Sequence, residues 1–249
     1  MKLVIFAGGL GTRMSEETNL KPKPMLEIGG KPILWHIMRI YSHYDINEFV
    51  VCCGYKGEVI RDYFLSLSHK NIKNDYFISN QAINDWKVQI IDTGIDTQTG
   101  GRLKQIKDYL DETFCLTYGD GLSDINIQKL IRYHQENKKE ITITGVNPRS
   151  KYGLLVVNEN YLVTNFKQKP LLKDSIINGG FMVCEKKIID YYKSNYDELE
   201  KVFEFIAKKQ QLIMYKHDGF WACMDSQRDK IYLNELWDKK DAKWKVWNS

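Results

Sequence analysis

One recurring unit constrains the fold more than anything else in the chain. A short apolar run ends in glycine and gives way to residues at helical spacing. The first run, Leu3 to Ala7, breaks into Gly8, Gly9, Leu10, Gly11, Thr12 and Arg13. After Pro32, ILWHIMRIYSHY places apolar residues at helical spacing, and FVVCCGY is a second run that stops at glycine. GEVIRDYF reads as a helix, VQIIDTG as a third strand and TFCLTYGDG as a fourth. Runs that are apolar on both faces belong in a sheet covered by helices on both sides. The alternation predicts an α/β fold, a doubly wound, mostly parallel, Rossmann-like sheet. Ligands of such sheets lie beyond the carboxyl ends of the strands, where the Gly-rich turn sits.

From Asn147 the pattern shifts to shorter strands, GLLVVN, YLVTNFK and IINGGFMVC. They suggest a smaller mixed β subdomain laid over the first sheet. Residues 186–209 read as two helices, QLIMYKH as a strand, and a last helix follows Asp225. No linker rich in Pro, Gly or Ser intervenes. The chain is therefore read as one domain, with a core over 1–146, a subdomain over 147–225, and a C-terminal helix and tail over 226–249. The terminal WKVW is expected to pack on the body or on a neighbouring subunit.

A length of 249 residues suffices for a sizeable core. The net charge of +4 is slight and no basic block appears, so nucleic-acid binding is not expected. The longest apolar runs are strand-sized, so no membrane span is expected, and no signal peptide is read. Five cysteines, at 52, 53, 115, 184 and 223, lack zinc-type spacing. Buried free thiols and a cytoplasmic location are expected.

The glycines at 8, 9 and 11 let a backbone turn tightly and aim N–H groups at phosphate oxygens. Arg13 and Lys23 add two cations nearby. No Gly-Lys-Ser/Thr follows, so this is not a Walker loop. Met14 stands where a dinucleotide fingerprint needs its third glycine, and Cys52, Cys53 and Gly54 stand where a dehydrogenase needs an acidic ribose ligand. Thr99 can cap a helix whose first turn holds Arg102, which suits an anion or is a simple helix start. Asp120, between Gly119 and Gly121, can hold a metal ion or cap a turn. Asp225, before the last helix, can be a cap or a second ligand.

GGxGTR followed by PKPM, together with CCGYKGEVI, DTGxxTxTGGRLK, INGGF and GFWACMDSQRDK, resembles the sugar-phosphate nucleotidyltransferases over essentially the whole chain. SEET, CCGYKG and TGGR resemble the cytidylyltransferase branch, as in the glucose-1-phosphate cytidylyltransferases. The resemblance implies that Gly8, Gly9, Gly11, Thr12, Arg13, Lys23 and Arg102 bind CTP, with Arg13 and Lys23 catalytic. It implies Mg²⁺ held by Asp120 and Asp225, transfer of CMP to a phosphorylated small molecule with release of pyrophosphate, and a homo-oligomer. A non-catalytic nucleotide-binding subunit would be expected to have lost Arg13, Lys23, Asp120 or Asp225, and all four are present.

On the acceptor side the resemblance assigns Tyr152, Gly153, Gln168, Lys169 and Asn178, with Lys169 gripping the acceptor phosphate. Departures gather here. Glu-Lys-Pro reads Gln168-Lys169-Pro170, Phe-Gly-Ala-Leu reads Tyr152-Gly153-Leu154-Leu155, and an acidic Trp-Glu stretch is replaced by LEKVFEFIAKK, with Glu204 as a remnant. A carboxamide donates as well as accepts, unlike a carboxylate. The acceptor half is therefore read as rebuilt; by general likeness the chain resembles the cytidylyltransferases of phosphoramidate capsule modification, and that resemblance implies L-glutamine phosphate as the leading acceptor. The alternative is glucose 1-phosphate, giving CDP-glucose for surface polysaccharide.

Overall fold

The computed structural model describes residues 1–80, 83–150, 152–168, 170–172 and 174–247. The chain opens with β1 (Leu3–Ala7), the short α1 (Ser15–Thr18), the two-residue strands β2 (Glu27–Ile28) and β3 (Lys31–Pro32), and α2 (Ile33–Ser42). Then come β4 (Glu48–Cys53), α3 (Gly57–Leu67), β5 (Lys70–Ile72), β6 (Asp75–Asn80), β7 (Ile83–Asp92), α4 (Thr99–Gln105) and β8 (Thr113–Tyr118). The second half holds β9 (Gly121–Ser123), α5 (Ile127–Asn137), β10 (Ile141–Val146), β11 (Gly153–Val157), β12 (Val163–Gln168) and β13 (Ile177–Glu185). It closes with α6 (Leu199–Lys208), β14 (Leu212–His217), β15 (Trp221–Cys223) and α7 (Gln227–Asp238).

Nine strands form the main sheet in the order β14-β10-β13-β8-β1-β4-β7-β6-β5. Its centre, β8-β1-β4-β7, is parallel, and antiparallel β13 and β6 flank it. From β1 the chain moves outward through β4 to β7, then returns to place β8 on the other side of β1. That reversal makes the carboxyl ends of β1 and β8 the switch point at which such sheets hold ligands.

Apolar runs became central strands because both faces are covered. Leu3, Ile5 and Ala7 face the core that contains α2, whereas Val4 and Phe6 face the core that contains α6. Each of the three larger aliphatic side chains at 3–5 is fully buried, which contributes about 1.5–3 kcal/mol per residue. The same rule places β13, whose Phe181–Cys184 stretch is fully buried, in the main sheet between β8 and β10. The expected smaller sheet therefore loses IINGGFMVC. What stands apart is the antiparallel hairpin β11–β12.

The tail packs on the body, as expected. Trp244 is fully buried, and Trp35, Trp237, Trp244 and Trp247 surround the imidazole of His36. His36 Nε2 donates to Ile28 O at 2.8 Å, which leaves Nδ1 to accept from Trp244 Nε1 at 3.4 Å. Burial pushes this imidazole down to about 4, against one backbone hydrogen bond that acts the other way. Four cysteines are buried free thiols, and Cys223 is half-buried. Among the described residues no helix is long and apolar enough to cross a membrane.

Candidate active site

Three loops at the switch point supply the candidate site. Gly8–Gly11 follows β1, Gly119-Asp120 follows β8, and Met224-Asp225 follows β15. The antiparallel pairing of β9 with β15 sets Cys223 opposite Gly121, and the Met224 N–H donates to Asp120 O at 2.9 Å. Two aspartates remote in sequence are thus brought side by side. Asp225 does not cap α7. Ser226 does, in a capping box whose Asp229 carboxylate also accepts the Asp225 N–H at 3.1 Å. The Asp225 side chain turns instead to the cations of the site.

Lys23 Nζ lies 2.7 Å from Asp120 Oδ2 and 3.1 Å from Asp225 Oδ1, and Arg13 Nη1 lies 2.5 Å from Asp225 Oδ2. Burial alone would raise the Asp225 carboxyl. Hydrogen bonds and charge from Lys23 and Arg13 outweigh it and hold the group below its usual range. Burial likewise works against the Lys23 ammonium, yet Asp120 more than offsets it and the pKa is raised. The Asp225 carboxyl is therefore kept ionised, and the Lys23 ammonium lies against both aspartates.

Two cavities of about 270 Å³ each meet at this quartet, sharing Tyr118 and Asp120. One is floored by Gly8, Gly9, Gly11, Lys23, Thr99 and Arg102. Gly9 has open space where a Cβ would stand, and Gly11 has φ +64°, so this backbone faces a ligand and turns as only glycine does readily. The other cavity is lined by Arg13, Asn178, Gly179, Trp221, Cys223 and Asp225.

Arg102 lies on the floor of the first cavity, but it is not a free cation. Its Nη1 donates to Cys53 O (2.8 Å), Thr93 Oγ1 (2.6 Å) and Gly94 O (2.9 Å), and its Nη2 donates to Gly8 O (2.9 Å). The guanidinium ties together the chain ends after β1, β4 and β7. A Cβ on Gly8 would stand 2.2 Å from Nη1, so Arg102 is one reason that position is glycine. Arg102 thus borders the cavity where a nucleotide contact was expected, and its guanidinium clamps the Gly-rich loop. The reading of TGGR as an anion-binding helix start changes. Gln98, not Thr99, is the N-cap of α4. A Cβ on Gly100 would meet the Tyr192 ring and one on Gly101 would meet Asn195 backbone, each at 2.4 Å, and the Gly101 N–H is taken by Asp197 O. This glycine pair serves close packing.

Of the remaining expected residues, Thr12 is exposed and lines neither cavity. Of the acceptor-side residues among those described, only Asn178 reaches one. Tyr152, Gly153 and Gln168 belong to the hairpin segment and line neither cavity; Tyr152 is 79% exposed, and Gly153 pairs with Gln168 across the hairpin. Lys169 lies outside the described residues. Glu204 is exposed on α6, whereas Glu200, one turn earlier, accepts a hydrogen bond from the Tyr118 hydroxyl at 2.7 Å. Sequence reasoning missed Tyr118, Trp221, Cys223 and Glu200. The first stands immediately before Gly119-Asp120, so its position at a strand end was the available signal.

The donor set fits a hard divalent cation. Asp120 and Asp225 offer carboxylate oxygens on one side of the shared opening, and no cluster of three or more His, Cys, Asp or Glu suited to a metal occurs among the described residues. Mg²⁺ favours that arrangement, with one or two carboxylates and the rest from phosphate and water.

The sequence matches the model of the nucleotidyl transferase family over residues 2–245. It is 43% identical to the glucose-1-phosphate cytidylyltransferase of Salmonella typhimurium, covering 99% of this chain and 100% of that protein. It is 44% identical, over the same shares, to the probable glucose-1-phosphate cytidylyltransferase of Bacillus subtilis. Among solved structures, HddC from Yersinia pseudotuberculosis superimposes with a TM-score of 0.71 at 24% identity, covering 95% of this chain and 99% of that one. At that identity the likeness speaks for the fold alone.

Proposed function

This chain belongs to the nucleotidyl transferase family, and we propose that it is a cytidylyltransferase that transfers CMP from CTP to glucose 1-phosphate. The observation that carries the reading is the Lys23–Asp120–Asp225–Arg13 quartet at the junction of two cavities. Two cavities suit two substrates, and the quartet stands where their phosphates would meet. Full-length identity to named glucose-1-phosphate cytidylyltransferases supports the choice of both substrates. It favours glucose 1-phosphate over L-glutamine phosphate. The likeness that points to L-glutamine phosphate is a general one, and Gln168, one of the departures beside it, stands on the hairpin and lines neither cavity.

In this reading the phosphate oxygen of the acceptor attacks the α-phosphorus of CTP in line and pyrophosphate leaves. The protein forms no bond to either substrate. Its work is to hold two polyanions together and offset their repulsion. Gly8, Gly9 and Gly11 present backbone to the triphosphate, with Arg102 fixing the loop from beneath. Arg13 and Lys23 neutralise phosphate charge. Asp120 and Asp225 would hold Mg²⁺, which would supply Lewis-acid stabilisation of charge on the phosphates. Asn178 contributes on the acceptor side.

A homo-oligomer belongs to the same proposal. The hairpin exposes Leu154, Leu155, Val156, Val157, Val163 and Phe166, each more than 40% accessible. A two-stranded ribbon cannot bury such side chains by itself, and a second copy of the chain would cover them.

The test is pyrophosphate release from CTP and Mg²⁺ with glucose 1-phosphate or L-glutamine phosphate as acceptor, and with UTP, dTTP and ATP as nucleotide controls. Turnover with CTP and glucose 1-phosphate is expected. Turnover with the glutamine compound alone would overturn the choice of acceptor. Silence with every pair would overturn the function.

A further inference from the structure

Tyr118 lines both cavities, and its hydroxyl sits in a directed chain of hydrogen bonds. The Gly180 N–H donates to Asn178 Oδ1 at 2.8 Å, which fixes the amide so that Nδ2 points to the Tyr118 oxygen, 3.4 Å away. The Tyr118 hydroxyl in turn donates to Glu200 Oε1 at 2.7 Å. The ring lies on a surface shaped for it. Gly180 has φ +82°, a Cβ there would stand 2.8 Å from Cδ2 of Tyr118, and Phe6 packs with its centroid 6.2 Å away.

The backbone that carries Glu200 is anchored from the nucleotide side. The Leu199 N–H, at the start of α6, donates to Thr99 Oγ1 at 2.8 Å, and Thr99 lines the first cavity. The glycine pair of α4 packs on the 192–197 segment just before α6. Glu200 is thus held by the nucleotide half and acts on a ring that faces the acceptor half.

We infer that Glu200 is a positioning residue for the acceptor, acting through Tyr118. A hydroxyl whose proton is committed to a carboxylate can only accept from anything else. The Tyr118 oxygen then selects an acceptor that presents a hydrogen-bond donor, such as a sugar hydroxyl, to the wall of its cavity. The inference rests on the proposed cytidylyltransferase activity and adds a carboxylate to the half where the expected acidic stretch is absent. That role falls to Glu200 and not to Glu204.

The experiment is steady-state kinetics of the full chain with CTP and glucose 1-phosphate, comparing wild type with Glu200→Ala, Glu200→Gln, Tyr118→Phe and the Glu200→Ala/Tyr118→Phe double variant. Thermal melting checks that each folds. One hydrogen bond to a charged but solvent-exposed group gives an expected rise of about five- to tenfold in the KM for glucose 1-phosphate, with the KM for CTP within about twofold. Glu200→Gln still accepts the tyrosine proton and is expected to recover most of the loss. The double variant is expected to be no worse than Tyr118→Phe alone, because the two residues act as one unit. An unchanged acceptor KM in Glu200→Ala, equal rises for both substrates, or additive losses would each overturn the inference while leaving the activity standing. A wild-type chain that makes no CDP-sugar would overturn the function and this inference with it.

Discussion

The nucleotide edge of the sheet and the β11–β12 hairpin are built on opposite principles. At the edge, every chain end is tied to another. Arg102 joins the ends after β1, β4 and β7, and Lys23 joins the loops after β8 and β15. The hairpin pairs only within itself and exposes apolar side chains. The edge follows from burial: its loops are short, spring from fully buried strands, and have little freedom to be elsewhere. In the hairpin equally apolar residues lie exposed, with no second layer over them among the described residues. Substrate contacts on a braced backbone are specified by one chain, whereas contacts on an unbraced ribbon depend on what covers it.

The largest expected effect tests the edge directly. Asp120→Ala is expected to lower kcat/KM by about a thousandfold or more, in the range of lost electrostatic groups at phosphoryl sites, with an unchanged circular dichroism spectrum. Activity within tenfold of wild type would remove Asp120 from the site. Next comes the clamp. Arg102→Lys cannot reproduce a fork that reaches acceptors on four residues, and is expected to cost about 2–4 kcal/mol in a denaturant titration. A loss below about 0.5 kcal/mol would mean that the loops hold without it.

A third measurement probes the core beside the edge. Folding keeps His36 neutral, with a pKa of about 4 against an ordinary value near 6.5 when unfolded. Above pH 6.5 the imidazole is neutral in both states and adds no pH dependence. Between 6.5 and 4 the unfolded chain takes up a proton that the folded chain refuses, so stability falls as pH falls, by roughly 3 kcal/mol in all. His36→Gln is expected to flatten that slope; an equal slope in the variant would assign it to other groups. The smallest effect belongs to the hairpin. Phe166→Asn is expected to change the chain's own stability by less than about 0.5 kcal/mol, while sedimentation shows a shift from oligomer toward monomer. A loss of several kcal/mol in a monomeric chain would show that the ribbon is braced after all.

The same division governs how much could be read from the sequence. Runs such as FVVCC identify themselves, because continuous apolarity has few places to go in an α/β chain. The Gly-rich loop and Asp120 are adjacent to such strands, so their placement follows from the strand order. Asp225 was legible as a pattern, while its release from capping depends on Ser226 and Asp229. Arg102 was identified, but its partners are backbone carbonyls and the Thr93 hydroxyl at the ends of three strands, which no linear pattern displays. Glu200 was not legible. Whether it or Glu204 meets Tyr118 depends on how α6 is rotated over β8, and that is fixed by contacts of Thr99 and of the 192–197 segment.

The hydrogen bond from the Met224 N–H to Asp120 O is made by backbone atoms alone. Replacing the side chain of residue 120 or of residue 225 does not remove it, so each loop keeps its neighbour in place when the other carboxylate is lost. Charge at the two positions can therefore be changed one at a time, and a double variant separates the two carboxylates without confusing charge with position.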